Sequence, residues 1–133
     1  MQRPKPHGGM RHIALFVEAF DKTLWFYTAL LGMAVEWQPD EDNIYLCSGC
    51  DNLALHRYQG EARPLAGQRL DHIGFILNAA EDVDGWYDFL QANGVTCQSE
   101  PRTHRDGARS FYCLDPDGNM VQMIHHPPIA GKC

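Results

Sequence analysis

No apolar run in the sequence approaches the roughly 18 residues that a membrane-spanning helix requires. The stretch Met1–Gly9 is polar, holds two prolines and has no apolar signal core. The expectation is a cytoplasmic protein with no membrane partner and a flexible N-terminus over residues 1–9. Basic residues are scarce, with 11 Lys and Arg against 17 Asp and Glu and a formal net charge of −6. They are scattered and form no stripe, so nucleic acid is not an expected partner. A second C-x-x-C is missing too. Cys47 and Cys50 form one, but no second pair completes a zinc knuckle, and no helix start follows as a redox motif would need. The pair reads as structural. An odd count of five cysteines without a secretory signal reads as free thiols.

What remains is a globular profile. The 133 residues are 44% hydrophobic and 21% charged, enough for one domain with its own core. The chain also repeats itself, and repeats decide architecture. Met10–Trp37 lies over Leu70–Cys97 at an offset of 60 without a gap, and 6 of the 28 pairs are identical, among them His12 with His72 and Tyr27 with Tyr87.

Both copies read alike. Arg11–Val17 and Asp71–Leu77 are short apolar runs rich in β-branched and aromatic residues, hence strands. Asp21 and Asp82 are expected helix N-caps. Leu24, Tyr27, Leu30 and Leu31 recur at helical spacing, as do Val83, Trp86, Tyr87 and Leu90. Trp25, Phe26, Tyr27, Trp86 and Tyr87 are expected in the helix-to-sheet core. Gly32 and Gly94 act as C-terminal stops. Met33–Gln38 and Val95–Glu100 read as second strands. Asn43–Cys47 and Asn52–Tyr58 finish the first copy. Ala108–Leu114 and Asn119–His125 finish the second, joined by the turn Asp115-Pro116-Asp117-Gly118. The fold class is α+β, with two tandem βαβββ modules, one over 10–58 and one over 70–126. A linker covers 59–69 and a C-terminal tail covers 127–133.

Four segments carry a likeness: Arg11-His12-Ile13-Ala14-Leu15, Phe26-Tyr27 through Leu30-Leu31-Gly32-Met33, Asp71-His72-Ile73-Gly74-Phe75, and Phe111-Tyr112 through Asp115-Pro116-Asp117-Gly118-Asn119. Together the sequence resembles the glyoxalase/bleomycin-resistance/extradiol-dioxygenase (vicinal oxygen chelate) superfamily over residues 10–126. The resemblance implies two modules forming a cupped, incomplete mixed β-barrel with helices outside, usually as a homodimer. It implies metal ligands on the first and last strands of each module. Those positions fall on His12, His72 and Gln122, with either His56 or Leu55 at the fourth. Gln122 stands where the family usually has glutamate.

Strand alternation places His12 with Ala14 and Phe16, and His72 with Gly74 and Ile76. If Leu53 and Leu55 pack against the helix, Ala54 and His56 face the cup. The implied cofactor is a divalent transition metal ion: zinc, nickel, cobalt, manganese or iron(II). The implied reaction acts on a small substrate that chelates the ion through adjacent oxygens, as a lyase, isomerase or ring-cleaving dioxygenase. His56 and Tyr112 are the candidates for chemistry. A glutamine brings no charge and no base at neutral pH, which disfavours a 2-His-1-carboxylate oxygenase. The alternative is a metal-free binding protein of bleomycin-resistance type, with Trp37 and Tyr45 in its groove. His104 reads as part of a solvated loop over Glu100–Gly107, and His125 and His126 as a solvated rim.

Overall fold

The computed structural model describes residues 10–62, 70 and 72–131, and for His12 the backbone only. The expected N-terminal segment 1–9, the linker part 63–69, Asp71 and tail residues 132–133 lie outside the described residues. The chain divides into two compact units at 59/60.

The first unit runs β1 (His12–Val17), α1 (Phe20–Trp25, continuing as a π-helical turn Phe26–Leu30), β2 (Ala34–Trp37), β3 (Asn43–Cys47) and β4 (Asn52–Arg57). Its sheet order is β1-β4-β3-β2, with β1 parallel to β4 and the other pairs antiparallel. The second runs β5 (Ile73–Ile76), α2 (Ala80–Ala92), β6 (Arg102–Thr103), β7 (Arg109–Leu114) and β8 (Met120–His125). Its order is β5-β8-β7-β6, again parallel between first and last strands. Each unit is therefore βαβββ with one topology. Among the described residues no helix is long and apolar enough to cross a membrane.

Alternation sorts each sheet into two faces. In the first unit Leu15, Val17, Ile44, Leu46, Leu53 and Leu55 are buried, together with Phe20, Phe26, Tyr27 and Leu30 of the helix. Burying each such side chain contributes roughly 1.5–3 kcal/mol. In the second, Ile73, Phe111, Val121 and Met123 are buried with Val83 and Leu90 of α2, and Tyr87 meets Phe111 edge-on at 5.3 Å. Gly32 and Gly94 end the helices with φ of +76° and +78°, a region glycine enters without cost.

Several expectations need correction. Asp21 and Asp82 are not caps: the N-caps are Ala19 and Ala79, and Asp82 sits at N3, where its carboxylate accepts the Ala79 N–H at 3.2 Å. Trp25 is half exposed instead of in the core. Val95–Glu100 forms no strand. Only Cys97 bridges to Cys113, and strand pairing resumes at Arg102. Pro101 follows this polar stretch and has no N–H to give a ladder.

The free-thiol expectation holds at Cys47, Cys97 and Cys113 but not at Cys50, which is disulfide-bonded. Burial, then the neighbouring Cys97 and Asp115, pushes the Cys113 thiol up to about 12. Alkylation of native protein at about pH 8, close to an ordinary thiol pKa, is therefore expected to spare Cys113 and to label it only in denaturant. Peptide mass mapping checks this. Native labelling of Cys113 at the rate of Cys47 would contradict it.

Candidate functional site

The candidate residues divide between the units. His56 and Gln122 alternate with the core residues Leu53, Leu55, Val121 and Met123 and so lie on the sheet face away from the helix of their unit. His12 opens β1 with its Cα opposite Asn52, and its side chain lies outside the described residues.

In the first unit β4 has the expected phase. Leu53 and Leu55 are in the core, and His56 pairs in register with Phe16 on β1 and Asn43 on β3. The imidazole is half-buried between two rings, Phe16 at 5.9 Å and Tyr45 at 6.0 Å between centroids. Its Nδ1 lies 2.6 Å from Asn43 Oδ1. The Asn43 amide nitrogen in turn donates to both oxygens of Asp40, at 2.9 and 3.1 Å. Those bonds, with the Asp42 N–H, hold the Asp40 carboxyl below its usual range. Farther along the face Trp37 stacks on Tyr45 at 5.2 Å with 22° between planes.

In the second unit the geometry brings Gln122, Tyr112 and His72 together. Gln122 on β8 pairs with Gly74 on β5 and Tyr112 on β7. Its buried amide nitrogen donates to Ser110 Oγ at 3.1 Å and to the Tyr112 hydroxyl at 3.0 Å. An amide nitrogen has two N–H bonds, so both are used. The carbonyl oxygen Oε1 then points toward Gly74, 3.9 Å from where a Cβ there would stand. His72 is exposed and its ring meets Tyr112 edge-on at 5.4 Å.

Sequence reading missed three participants here and two in the first unit. Ser110 shares Tyr112's face two residues earlier, a signal alternation does carry. His104 is half-buried, not solvated. Its Nε2 lies 3.0 Å from Ser110 Oγ because the chain folds back through β6. His104 also lines a cavity of about 400 Å³ with Gly74, Ile76, Ala108, Gln122 and Ile124. His126, expected at a solvated rim, borders the same cavity. Asn43 could have been found by its parity with Tyr45. Asp40, in a turn, left no periodic signal.

Among the described residues no three His, Cys, Asp or Glu side chains gather as a metal cage. The donor set is instead neutral: imidazoles and one amide oxygen. Gln122 fits an ion-facing role in one respect, since its nitrogen is satisfied on the protein side and its oxygen is left over. His56 fits in another, since a ligating imidazole usually has its second nitrogen tied to an oxygen acceptor.

Comparison with known proteins gives the context. A family model described as the Glyoxalase/Bleomycin resistance protein/Dioxygenase superfamily matches residues 9–123. The chain is 29% identical over 119 residues to YraH of Bacillus subtilis, an uncharacterized protein, covering 84% of this chain and 93% of the relative. It is 30% identical over 118 residues to the glutathione transferase FosA of Serratia marcescens, covering 86% and 78%. The solved lactoylglutathione lyase of Agrobacterium tumefaciens superposes with a TM-score of 0.75 at 20% identity, over 91% of this chain and 96% of that one, a likeness of fold.

Proposed function

This chain belongs to the glyoxalase/bleomycin resistance protein/dioxygenase superfamily, and from that premise we propose that it is a metal-dependent enzyme acting on a small substrate that chelates through two adjacent oxygens. The observation that carries the reading is the orientation of Gln122. Both amide N–H bonds are used by Ser110 and Tyr112, and Oε1 remains as an electron-pair donor. The proposed donors to a divalent transition ion such as zinc, nickel, cobalt, manganese or iron(II) are His12 and His56 in the first unit and His72 and Gln122 in the second. A bound ion would supply Lewis-acid polarisation of the substrate oxygens.

The chain's own groups do the rest. Tyr112 accepts from Gln122, so its hydroxyl proton is not given to that partner and can be donated to a developing oxyanion. His56 is the candidate base where it is not a ligand. A lyase or isomerase step suits this donor set better than ring-cleaving dioxygenation, which prefers a carboxylate ligand. The protein would act in the cytoplasm as a homodimer. On the edge strand β2, Val35 and Trp37 are 53% and 59% exposed, an apolar edge of the kind a second chain covers.

A second reading has its own support. The stacked Trp37–Tyr45 pair and the largely apolar cavity beside Gln122 suit a metal-free protein that sequesters a small organic molecule. Elemental analysis of untagged protein separates the two. About one equivalent of a transition metal, lost in a His12→Ala/His72→Ala variant, is the expected result. No uptake by wild type after incubation with nickel, zinc, manganese or iron(II) would overturn the enzyme reading and leave sequestration in front.

A further inference from the structure

The bonds around His56 determine which of its nitrogens carries the proton. A carboxylate can only accept, and Asp40 takes bonds at 2.9 and 3.1 Å from Asn43 Nδ2 and at 2.8 Å from the Asp42 N–H. Asn43 is thereby oriented with its amide nitrogen toward Asp40 and its Oδ1 toward His56. That oxygen can also only accept, and it lies 2.6 Å from Nδ1. The proton therefore sits on Nδ1. A neutral imidazole has one proton, so Nε2 carries the lone pair.

Neighbouring groups keep the chain intact. Asp42, the other carboxylate nearby, is occupied by Arg57 at 2.7 Å and does not compete for Asn43. Phe16 and Tyr45 flank the ring. Three strands and a turn thus converge on one imidazole: Asn43 from β3, His56 from β4, Phe16 from β1 and Asp40 from the turn before β3.

We infer that Asp40 and Asn43 are positioning residues that lock His56 in the Nδ1–H tautomer and present Nε2 as an electron-pair donor to a divalent ion. The tautomer half stands on the hydrogen bonds alone. The half that gives the lone pair to an ion rests on the metal-dependent reading above. None of this arrangement follows from a sequence motif, because the three polar residues belong to a turn and two separate strands.

The test begins with metal-free, uniformly ¹⁵N-labelled protein near pH 8, more than a unit above the ordinary histidine pKa of about 6.5. Multiple-bond ¹H–¹⁵N correlation distinguishes protonated from unprotonated ring nitrogens, and a His56→Gln variant assigns the signal among the seven histidines. Wild type is expected to show His56 protonated at Nδ1. Asn43→Leu should move it toward the Nε2–H form. Asn43→Asp, which keeps an acceptor, should preserve the Nδ1–H form. Amide dispersion confirms that each variant is folded. An Nε2–H pattern in wild type, or no change in Asn43→Leu, overturns the lock.

Nickel(II) titration then tests the second half. Loss of such an outer bond weakens metal sites about 10–100-fold, so Asn43→Leu should bind nickel that much less tightly. Equal affinity in both proteins overturns the assignment of Nε2 to the ion. Absence of nickel uptake by wild type, with the tautomer lock intact, would instead bring down the metal-dependent function and leave the lock standing.

Discussion

Gln122→Glu is expected to tighten divalent-metal binding by on the order of 100-fold, about 2.7 kcal/mol. A neutral amide oxygen becomes a charged donor at a partly dehydrated position, where charge–charge attraction is much stronger than in water. The neighbours permit the change. Ser110 and Tyr112 now accept from the amide nitrogen, but hydroxyls rotate and can donate to a carboxylate instead. Without metal the same substitution should cost about 1–3 kcal/mol, since the new carboxylate is largely buried. Thermal unfolding with and without nickel reads both effects. The variant should melt below wild type when metal-free and above it when loaded. Equal nickel affinity in the two proteins would mean that Oε1 does not face an ion.

The second large effect is on stability. Asp115→Ala should destabilise the fold by about 3–5 kcal/mol, because it leaves several donors without an acceptor. Asp115 is 3% exposed and opens the Asp115–Gly118 turn between β7 and β8. One carboxylate oxygen accepts the N–H groups of Asp117 at 2.9 Å and Asn119 at 2.8 Å, and the other accepts Asn119 Nδ2 at 2.8 Å. Against a typical total of about 5–15 kcal/mol this loss is severe. Denaturant unfolding measures it. A midpoint within about 1 kcal/mol of wild type would show that the turn holds its shape without the carboxylate. Because β8 carries Gln122, partial unfolding here should also disturb the Gln122–Tyr112 pair.

Much of the fold could be read before any coordinates. The 60-residue offset paired the modules, and alternation identified the core face of β4, which carries Leu53 and Leu55 and leaves His56 on the opposite face. What failed was local or relational. Val95–Glu100 has strand-like residues at its start, but a strand needs continuous pairing along its length, and here the pairing is a single bridge from Cys97 to Cys113. Asp82 carries a helix-start signal, yet its exact place in the first turn depends on where the preceding chain stops being extended, at Ala79. The site shows the same division. Gln122 is located through the family resemblance, which places a ligand position on the strand after the Asp115 turn. His104 could not be located, because its approach to Ser110 depends on a two-residue strand, β6, that has no periodicity to detect. Asn43 and His56 are 13 residues apart and meet only through sheet register.

The parallel closure of each sheet also bears on how the protein is made. β1 cannot pair until β4 exists, 40 residues later between His12 and Asn52, and β5 waits 48 residues for its partner at Val121. At roughly 5–20 residues per second on the ribosome, each first strand spends about two to ten seconds as an unsatisfied edge. Such non-local pairing is slow to form and exposed to aggregation in the interval. The nascent chain twice passes through a stage in which an apolar strand is finished and its partner is not, so the yield of folded protein should depend on translation speed and on holdase chaperones.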